Sequence, residues 1–313
     1  LSHLDRALSG EDPMPHSEED LYNWVRLFEE QARELSAETA GAYWMDEKWD
    51  EAEVPFQSEK ESQSEKAEYH AIQRRVPVPE YNPEGNDLSR LVAGMGEAVE
   101  LTFGYSTFAI DKEHHGRASF FGMPEPEDTV GWFTSLAPTF ITKPADGWSA
   151  FKEIEHQLNE VPEHGRFFEY IRHHEHMRAP QNCGILFNYL GRSQLHYKHR
   201  YFTAVPAEGL DQADPHIRRP HMVEINIRAA EDAWILDVEY DRLRVEEKDL
   251  NQFIDVFVNR PVSDEAHDLK SGQKAKTDEI DDTAYDLDEN LSDIDRIEIQ
   301  NSGLDTMMEE GEL

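Results

Sequence analysis

The sequence predicts an α+β fold with a sizeable mixed or antiparallel sheet. Apolar and polar residues alternate over residues 223–227 and again over 234–240, with the polar turn RAAED between them, and this pattern predicts an antiparallel hairpin. Helical apolar spacing appears in other segments, without the regular strand–helix–strand spacing of a parallel α/β fold and without an internal repeat.

Four segments have the apolar periodicity of helices. The first begins at the capping-box sequence SEED (residues 17–20) and its pattern reaches Trp44. The second begins at Asn86 and Asp87 and includes Gly94 and Gly96, which allow close packing of a neighbour. The inward-facing positions of the second, third and fourth helices are Leu88, Leu91, Val92, Met95 and Val99, then Phe151, Ile154 and Leu158, then Leu250, Phe253, Ile254 and Phe257.

Shorter apolar runs predict the remaining strands. One contains Ile72 and Val76, others cover residues 101–110 and 130–141, and the last covers 185–190. The charged residues 46–68 predict an exposed connection, and the polar segment that begins at residue 111 predicts a loop.

The charge balance excludes two classes of partner. The chain has 66 acidic residues against 30 basic ones, a net charge of −36, and nucleic acid and anionic lipid both require clustered positive charge. Acidity spread along the whole chain is typical of proteins that live in high salt. No apolar run is long enough to span a membrane, and the single cysteine, Cys183, fits a reducing cytoplasm.

The composition changes near residue 264. Residues 264–313 contain 17 acidic and 4 basic residues with few large apolar side chains, which is typical of disorder. We therefore expect one domain over residues 1–263, and an acidic tail, linker or docking segment over residues 264–313.

Three motifs, in this order, resemble the epimerization domains of nonribosomal peptide synthetases, which are relatives of condensation domains. EHHGR (residues 113–117) resembles Glu-Gly-His-Gly-Arg-Glu, VGWFTSLAP (130–138) resembles Val-Gly-Trp-Phe-Thr-Ser-x-x-Pro, and FNYLGR (187–192) resembles Phe-Asn-Tyr-Leu-Gly. The resemblance covers about residues 17–300. It implies a chloramphenicol-acetyltransferase-like lobe, a mixed sheet with flanking helices, followed by the disordered acidic tail.

The resemblance also implies a reaction and its participants. Such a domain inverts the Cα of an aminoacyl or peptidyl thioester carried on the phosphopantetheine arm of a carrier protein, and it binds no cofactor or metal of its own. The implied partners are a peptidyl or acyl carrier protein and adjacent synthetase domains. Two alternatives stay open: a condensation domain that forms amide bonds between carrier-bound substrates, and an inactive module that docks carriers.

The sequence departs from the family in two places. The hallmark His-His-x-x-x-Asp-Gly of the N-terminal half does not occur among the 313 residues, so we expect the N-terminal lobe to be supplied outside them. In the acidic motif, His114 replaces the usual Gly and Ala118 replaces the second Glu.

The resemblance assigns roles to individual residues. Glu113 is the candidate catalytic acid/base, because a buried carboxyl with a raised pKa suits proton transfer at neutral pH. The candidate substrate-tunnel residues are His115, Trp132, Thr134, Ser135, Asn188 and Tyr189.

The sequence HHEH (residues 173–176) raises a separate metal hypothesis. Two histidines at i and i+3 on a helix can bind the same metal ion. No second compact ligand pair follows, and a polar helix end explains the cluster better, so no metal is predicted.

Overall fold

A computed structural model of the protein describes residues 7–11, 19–34, 41–57, 67–77, 87–117, 131–144, 149–174, 177–180, 182–192, 217–230 and 233–259. The chain divides into two compact units, one made of Glu18–Arg192 with Ala213–Gln273, the other of Leu1–Ser17, Ser193–Gln212 and Lys274–Leu313. In the second unit the described residues form a single turn, in which the Gly10 amide donates to the Ala7 carbonyl at 3.1 Å. The predicted tail, residues 264–313, lies outside the described residues.

The first unit is a six-stranded mixed sheet with helices, as predicted. The helices are α1 (Glu19–Glu34), α2 (Ala42–Met45), α3 (Asp87–Phe103), α4 (Ser149–Asn159), α5 (Phe168–Arg172) and α6 (Glu247–Asn259), with 3₁₀ turns at Glu47–Glu51 and Pro162–Gly165. The strands are β1 (Tyr69–Pro77), β2 (Thr107–His114), β3 (Ser135–Thr142), β4 (Ile185–Arg192), β5 (Val223–Ala229) and β6 (Ala233–Asp241).

The strand order is β1-β6-β5-β4-β2-β3. Strand β4 runs parallel to both β2 and β5, and the other pairs are antiparallel. The antiparallel pairing of β5 with β6 confirms the predicted hairpin.

One face of the sheet carries the main core. Helices α3 and α6 bury the predicted apolar positions against Val223, Ile225 and Ile227. Full burial of each large apolar side chain contributes about 1.5–3 kcal/mol, so these helices are held by packing. A Cβ at Gly94 would lie 3.4 Å from Phe257, which confirms the close approach that this glycine predicted.

A second cluster covers the edge of the sheet at β3. Aromatic residues of α1, α2 and α5 pack there, including Phe28 against Phe167 at 4.9 Å and Trp44 against Phe168 at 5.1 Å. The Trp44 indole N–H donates to the Pro138 carbonyl at 2.9 Å. These contacts cover backbone groups of an edge strand that would otherwise invite pairing with another chain.

Two predictions for the segment between the first helix and β1 differ from the structure. The segment predicted as exposed at 46–68 buries Trp49, which is 3% exposed, and Phe56. The first helix also ends at Glu34, and Trp44 lies in the separate short helix α2. A polar composition hid the burial of Trp49 and Phe56, because a few aromatic anchors decide burial where the average residue is charged.

The boundaries around β2 also differ from prediction. Residues 101–103 complete α3, Gly104 ends it with a φ of 79°, and β2 begins at Thr107. The strand then runs on through Asp111 and Lys112, which are buried, to His114. Polar residues continue this strand because it lies inside the sheet between β3 and β4.

Candidate functional site

The end of strand β2 places Glu113 on one face of the sheet. Glu113 is paired with Leu136 of β3, and the neighbouring Lys112 is paired with Phe187 of β4. Because side chains alternate along a strand, Glu113 shares its face with Asp111, while Lys112 and His114 point to the opposite face.

The environment of Glu113 favours its protonated form. Glu113 is partly buried, and burial raises the pKa of its carboxyl above the usual value, with a further rise from the negative charge of Glu224. A carboxyl of this kind exchanges protons closer to neutral pH than an exposed one.

Asn188 shares the face of Glu113. Register and alternation place it beside Glu113 across the parallel β2–β4 pair, and its amide N–H donates to the Asn226 side-chain oxygen at 3.2 Å. Glu224, which acts on Glu113, accepts a 2.8 Å hydrogen bond from Arg219. This face therefore presents carboxyl and amide groups beside the apolar side chains of Leu136 and Leu186.

The loop after β2 is locked to the second motif. Gly116 has a φ of 68°, and a Cβ there would lie 1.6 Å from the Phe133 carbonyl oxygen, so only glycine fits. The Arg117 side chain donates to the Gly131 carbonyl at 2.9 Å and lies 4.4 Å over the Phe133 ring. Exposed His115 accepts the Arg117 amide N–H at 3.1 Å through Nδ1.

The second motif divides among three environments. Phe133 is buried and meets Trp24 edge to face at 4.9 Å, whereas Trp132 is 88% exposed. Thr134 is partly buried in the segment that leads into β3. Ser135 is paired with His114, so its side chain lies on the face opposite Glu113.

Tyr189 is separated from Glu113 as well. It packs against the main core, and its hydroxyl donates to the Asp87 carboxylate at 2.9 Å. This bond ties β4 to the start of α3. The structure therefore brings Glu113 and Asn188 to one face, and turns Ser135 and Tyr189 to the other.

Sequence reasoning missed a group of buried polar residues beside Glu113. Lys112 Nζ lies 2.8 Å from His114 Nε2, and burial lowers the pKa of Lys112 to about 8. On the face of Glu113, buried His221 lies 2.8 Å from the Asp111 carboxylate, which also accepts the Cys183 amide N–H at 2.8 Å. No periodic signal marks such residues, because charged side chains inside a strand look like loop residues in a sequence.

The predicted histidine cluster is only partly described. His173 follows the last residue of α5, His174 is exposed, and residues 175 and 176 lie outside the described residues. Within the described ranges, His, Cys, Asp and Glu side chains form no group of three or more that could hold a metal ion. Among the same residues, no helix combines the length and the apolar character needed to cross a bilayer.

Comparison with solved structures identifies the fold. The epimerization domain from the third module of tyrocidine synthetase B superposes with a TM-score of 0.62 at 20% identity, covering 80% of this chain and 60% of that one. PapA2 acyl transferase gives a TM-score of 0.55 at 11% identity, covering 82% of this chain and 58% of that one. The fold is that of the condensation-domain superfamily.

Sequence comparison finds relatives among peptide synthetases. No protein-family model matches the chain. Tyrocidine synthase 2 of Brevibacillus parabrevis is 28% identical over 185 residues, which is 56% of this chain and 5% of that protein. A plipastatin synthase of Bacillus subtilis is 25% identical over 183 residues, or 55% of this chain and 7% of the relative. The chain thus has the fold of a condensation- or epimerization-type domain, and over about half of its length it is similar to nonribosomal peptide synthetases, of which it spans less than a tenth.

Proposed function

We propose that this chain is the C-terminal part of an epimerization domain, which inverts the Cα of an aminoacyl or peptidyl thioester on a carrier protein. The observation that carries the proposal is the placement of Glu113, partly buried at the end of β2, in a motif of the epimerization type. The two other motifs and the similarity to a solved epimerization domain support the same assignment.

The reaction needs two proton-transfer groups. One removes the Cα proton, the resulting enolate carries negative charge on the thioester oxygen, and a second group returns a proton to the opposite face of the carbon. Glu113 supplies one of these groups. The histidine of the family hallmark, on an N-terminal lobe outside these residues, supplies the other.

The surroundings of Glu113 suit this role. Its raised pKa makes the carboxylate a stronger base and brings the carboxyl closer to the pH at which it can both give and take a proton. Asn188 has an amide on the same face and is the candidate to bind a carbonyl of the substrate. Exposed Trp132 and His115 and partly buried Thr134 remain candidate contacts for the phosphopantetheine arm.

The test is isotope exchange at Cα in the enzyme completed by its N-terminal lobe. With a loaded carrier in deuterated buffer, Glu113→Gln should lose about 10²–10⁴-fold in deuterium wash-in, because the amide keeps the shape but transfers no proton. Carrier affinity should not change. Glu30→Gln is the matched control, since Glu30 is a carboxylate paired with Arg26 at 2.7 Å and has the same charge change. Exchange at the wild-type rate in Glu113→Gln would remove Glu113 from the mechanism.

The same preparation separates the two alternatives. A condensation domain would join two carrier-bound substrates without Cα exchange. Condensation and epimerization domains share one fold, so condensation stays an alternative activity. An inactive module would bind the carrier and catalyse neither reaction.

A further inference from the structure

A basic cluster lies behind Glu113, on the opposite face of β2. Its members, called here the Lys112 cluster, are Lys112, His114, Ser135, His164 and Arg166. The His114 and His164 rings are 5.4 Å apart, and Ser135 is directly across the strand pair from His114. Although the chain has a net charge of −36, four of its basic side chains lie together in this cluster.

Lys112 is the charged centre of this cluster. Lys112 is only 6% exposed, and its Nζ atom lies 2.8 Å from His114 Nε2. Among the described residues, no carboxylate forms an ion pair with it. A neutral imidazole accepts one hydrogen bond but compensates no charge, and a buried, uncompensated ammonium is costly.

Ser135 adds a second unsatisfied donor. Its hydroxyl oxygen is buried and has no hydrogen-bond partner within the described part of the chain. Directly opposed residues have Cβ atoms about 4.5–5.5 Å apart, so this hydroxyl lies beside the His114 ring. Adjacent unsatisfied donors around a buried cation indicate an ion or water that completes their bonding.

Other charged groups surround the cluster. Arg166 is buried nearby. Burial is the main cause that lowers the pKa of His114, and the positive charges of Lys112, His164 and Arg166 lower it further. Exposed Glu163 raises the pKa of His164 and Arg166, which partly opposes the effect of burial on these two groups. The positive charge of His115 also lowers the pKa of both imidazoles. Glu163 thus offsets part of the effect of burial on His164 and Arg166, whereas no carboxylate among the described residues pairs with Lys112.

We propose that Lys112 and Ser135, with the His164 imidazole at the rim, bind a small monovalent anion, with chloride as the probe. One uncompensated ammonium requires one negative charge, and the hydroxyl and imidazole N–H groups complete the coordination of a small anion. Water would satisfy the donors but leave the charge uncompensated. The site is independent of epimerization, because it lies on the face away from Glu113.

The experiment measures the thermal midpoint of the full chain at constant ionic strength, as gluconate is replaced by chloride. A site that binds only the folded state predicts a saturable rise of about 2–4 °C. The rise should fade as pH increases through about 8, where Lys112 loses its charge. Lys112→Met should abolish the chloride-specific rise. Lys143→Met should keep it, because Lys143 already pairs with Glu97 at 3.2 Å and Glu100 at 3.1 Å.

A second variant protects the test against a folding failure of Lys112→Met. Ser135→Ala removes one donor and should raise the chloride concentration at half effect several-fold without loss of the fold. Crystals soaked in bromide should show an anomalous peak within hydrogen-bond distance of Lys112 Nζ. Equal midpoints in chloride and gluconate, a rise produced by phosphate but not chloride, or a chloride effect retained in Lys112→Met would each overturn the proposal.

Discussion

Arg117 donates a 2.9 Å hydrogen bond from its guanidinium to the carbonyl of Gly131, and so joins the motif segment that contains the candidate catalytic Glu113 to the second motif segment. The same guanidinium lies 4.4 Å over the Phe133 ring. The loop geometry that holds Glu113 at the end of β2 therefore depends on residues whose side chains perform no chemistry.

Gly116 tests this dependence. Gly116→Ala should destabilise the fold by about 3–4 kcal/mol, because the new methyl group would meet the Phe133 carbonyl at 1.6 Å in addition to the cost of a positive φ. Gly104→Ala is the matched control. Gly104 also has a positive φ, 79°, but nothing lies within 4 Å of the place that its new methyl group would occupy, so only about 1 kcal/mol should be lost. Chemical denaturation measures both, and equal losses would contradict the steric argument.

Variants of Tyr189 and Asn188 should distinguish a residue that stabilises the fold from one that contacts the substrate. Tyr189→Phe removes the hydrogen bond to Asp87 and should cost about 0.5–1.5 kcal/mol of stability while Cα exchange in the completed enzyme stays at the wild-type rate. Asn188→Ala should slow exchange with a smaller loss of stability, since its side chain lies on the face of Glu113. Loss of exchange in Tyr189→Phe at unchanged stability would assign Tyr189 to the site.

The Arg244–Asp241 pair should dominate the electrostatic contribution to stability. Arg244 Nε donates to Asp241 at 2.6 Å, both side chains are buried, and Asp241 also accepts the amide N–H groups of Glu68 and Leu243. Arg244→Met should cost about 3–5 kcal/mol, because a buried carboxylate loses its cation. The exposed pair of Arg26 with Glu30 supplies the control, and Arg26→Met should cost under about 0.5 kcal/mol.

Lys112 predicts a pH dependence of stability. Its folded-state pKa, about 8, lies below the ordinary lysine value of about 10.4, so the unfolded chain binds more protons between these pH values. Stability from this group should therefore rise as pH increases from about 8 to about 10. The relevant measurement is the difference between wild type and Lys112→Met in that window. Other groups titrate there as well, and a difference that stays flat would show that Lys112 keeps an ordinary pKa.

Much of the fold could be predicted from the sequence, because regularly spaced apolar residues mark the positions that are buried. The β5–β6 hairpin and the helix with Leu250, Phe253, Ile254 and Phe257 were predicted correctly, since their buried positions are apolar and regularly spaced. The motif residues also led to Glu113. The continuation of β2 through Asp111 and Lys112 was not predictable, because buried charged residues depend on partners distant in the sequence, such as His221.

The distribution of the motif residues over two faces was equally hidden. Ser135 and Tyr189 each occur in a motif, yet register turns both away from Glu113. The sequence of a motif does not show how its strand pairs with the neighbouring strands. A shift of one residue in that pairing moves a side chain to the other face of the sheet.

The last prediction concerns the 313 residues tested without any further segment. If Glu113 acts as proposed, they should show no Cα exchange on a loaded carrier, because a second proton-transfer group must stand on the other side of the carbon. Among the described residues near Glu113, Glu224 is bonded to Arg219, and His221 is buried with Nε2 at 2.8 Å from Asp111. Neither is placed to reach the opposite face of a substrate. Exchange by the purified chain that disappears in Glu113→Gln would show that the second group lies within these residues, and His221→Gln would be the first variant to identify it.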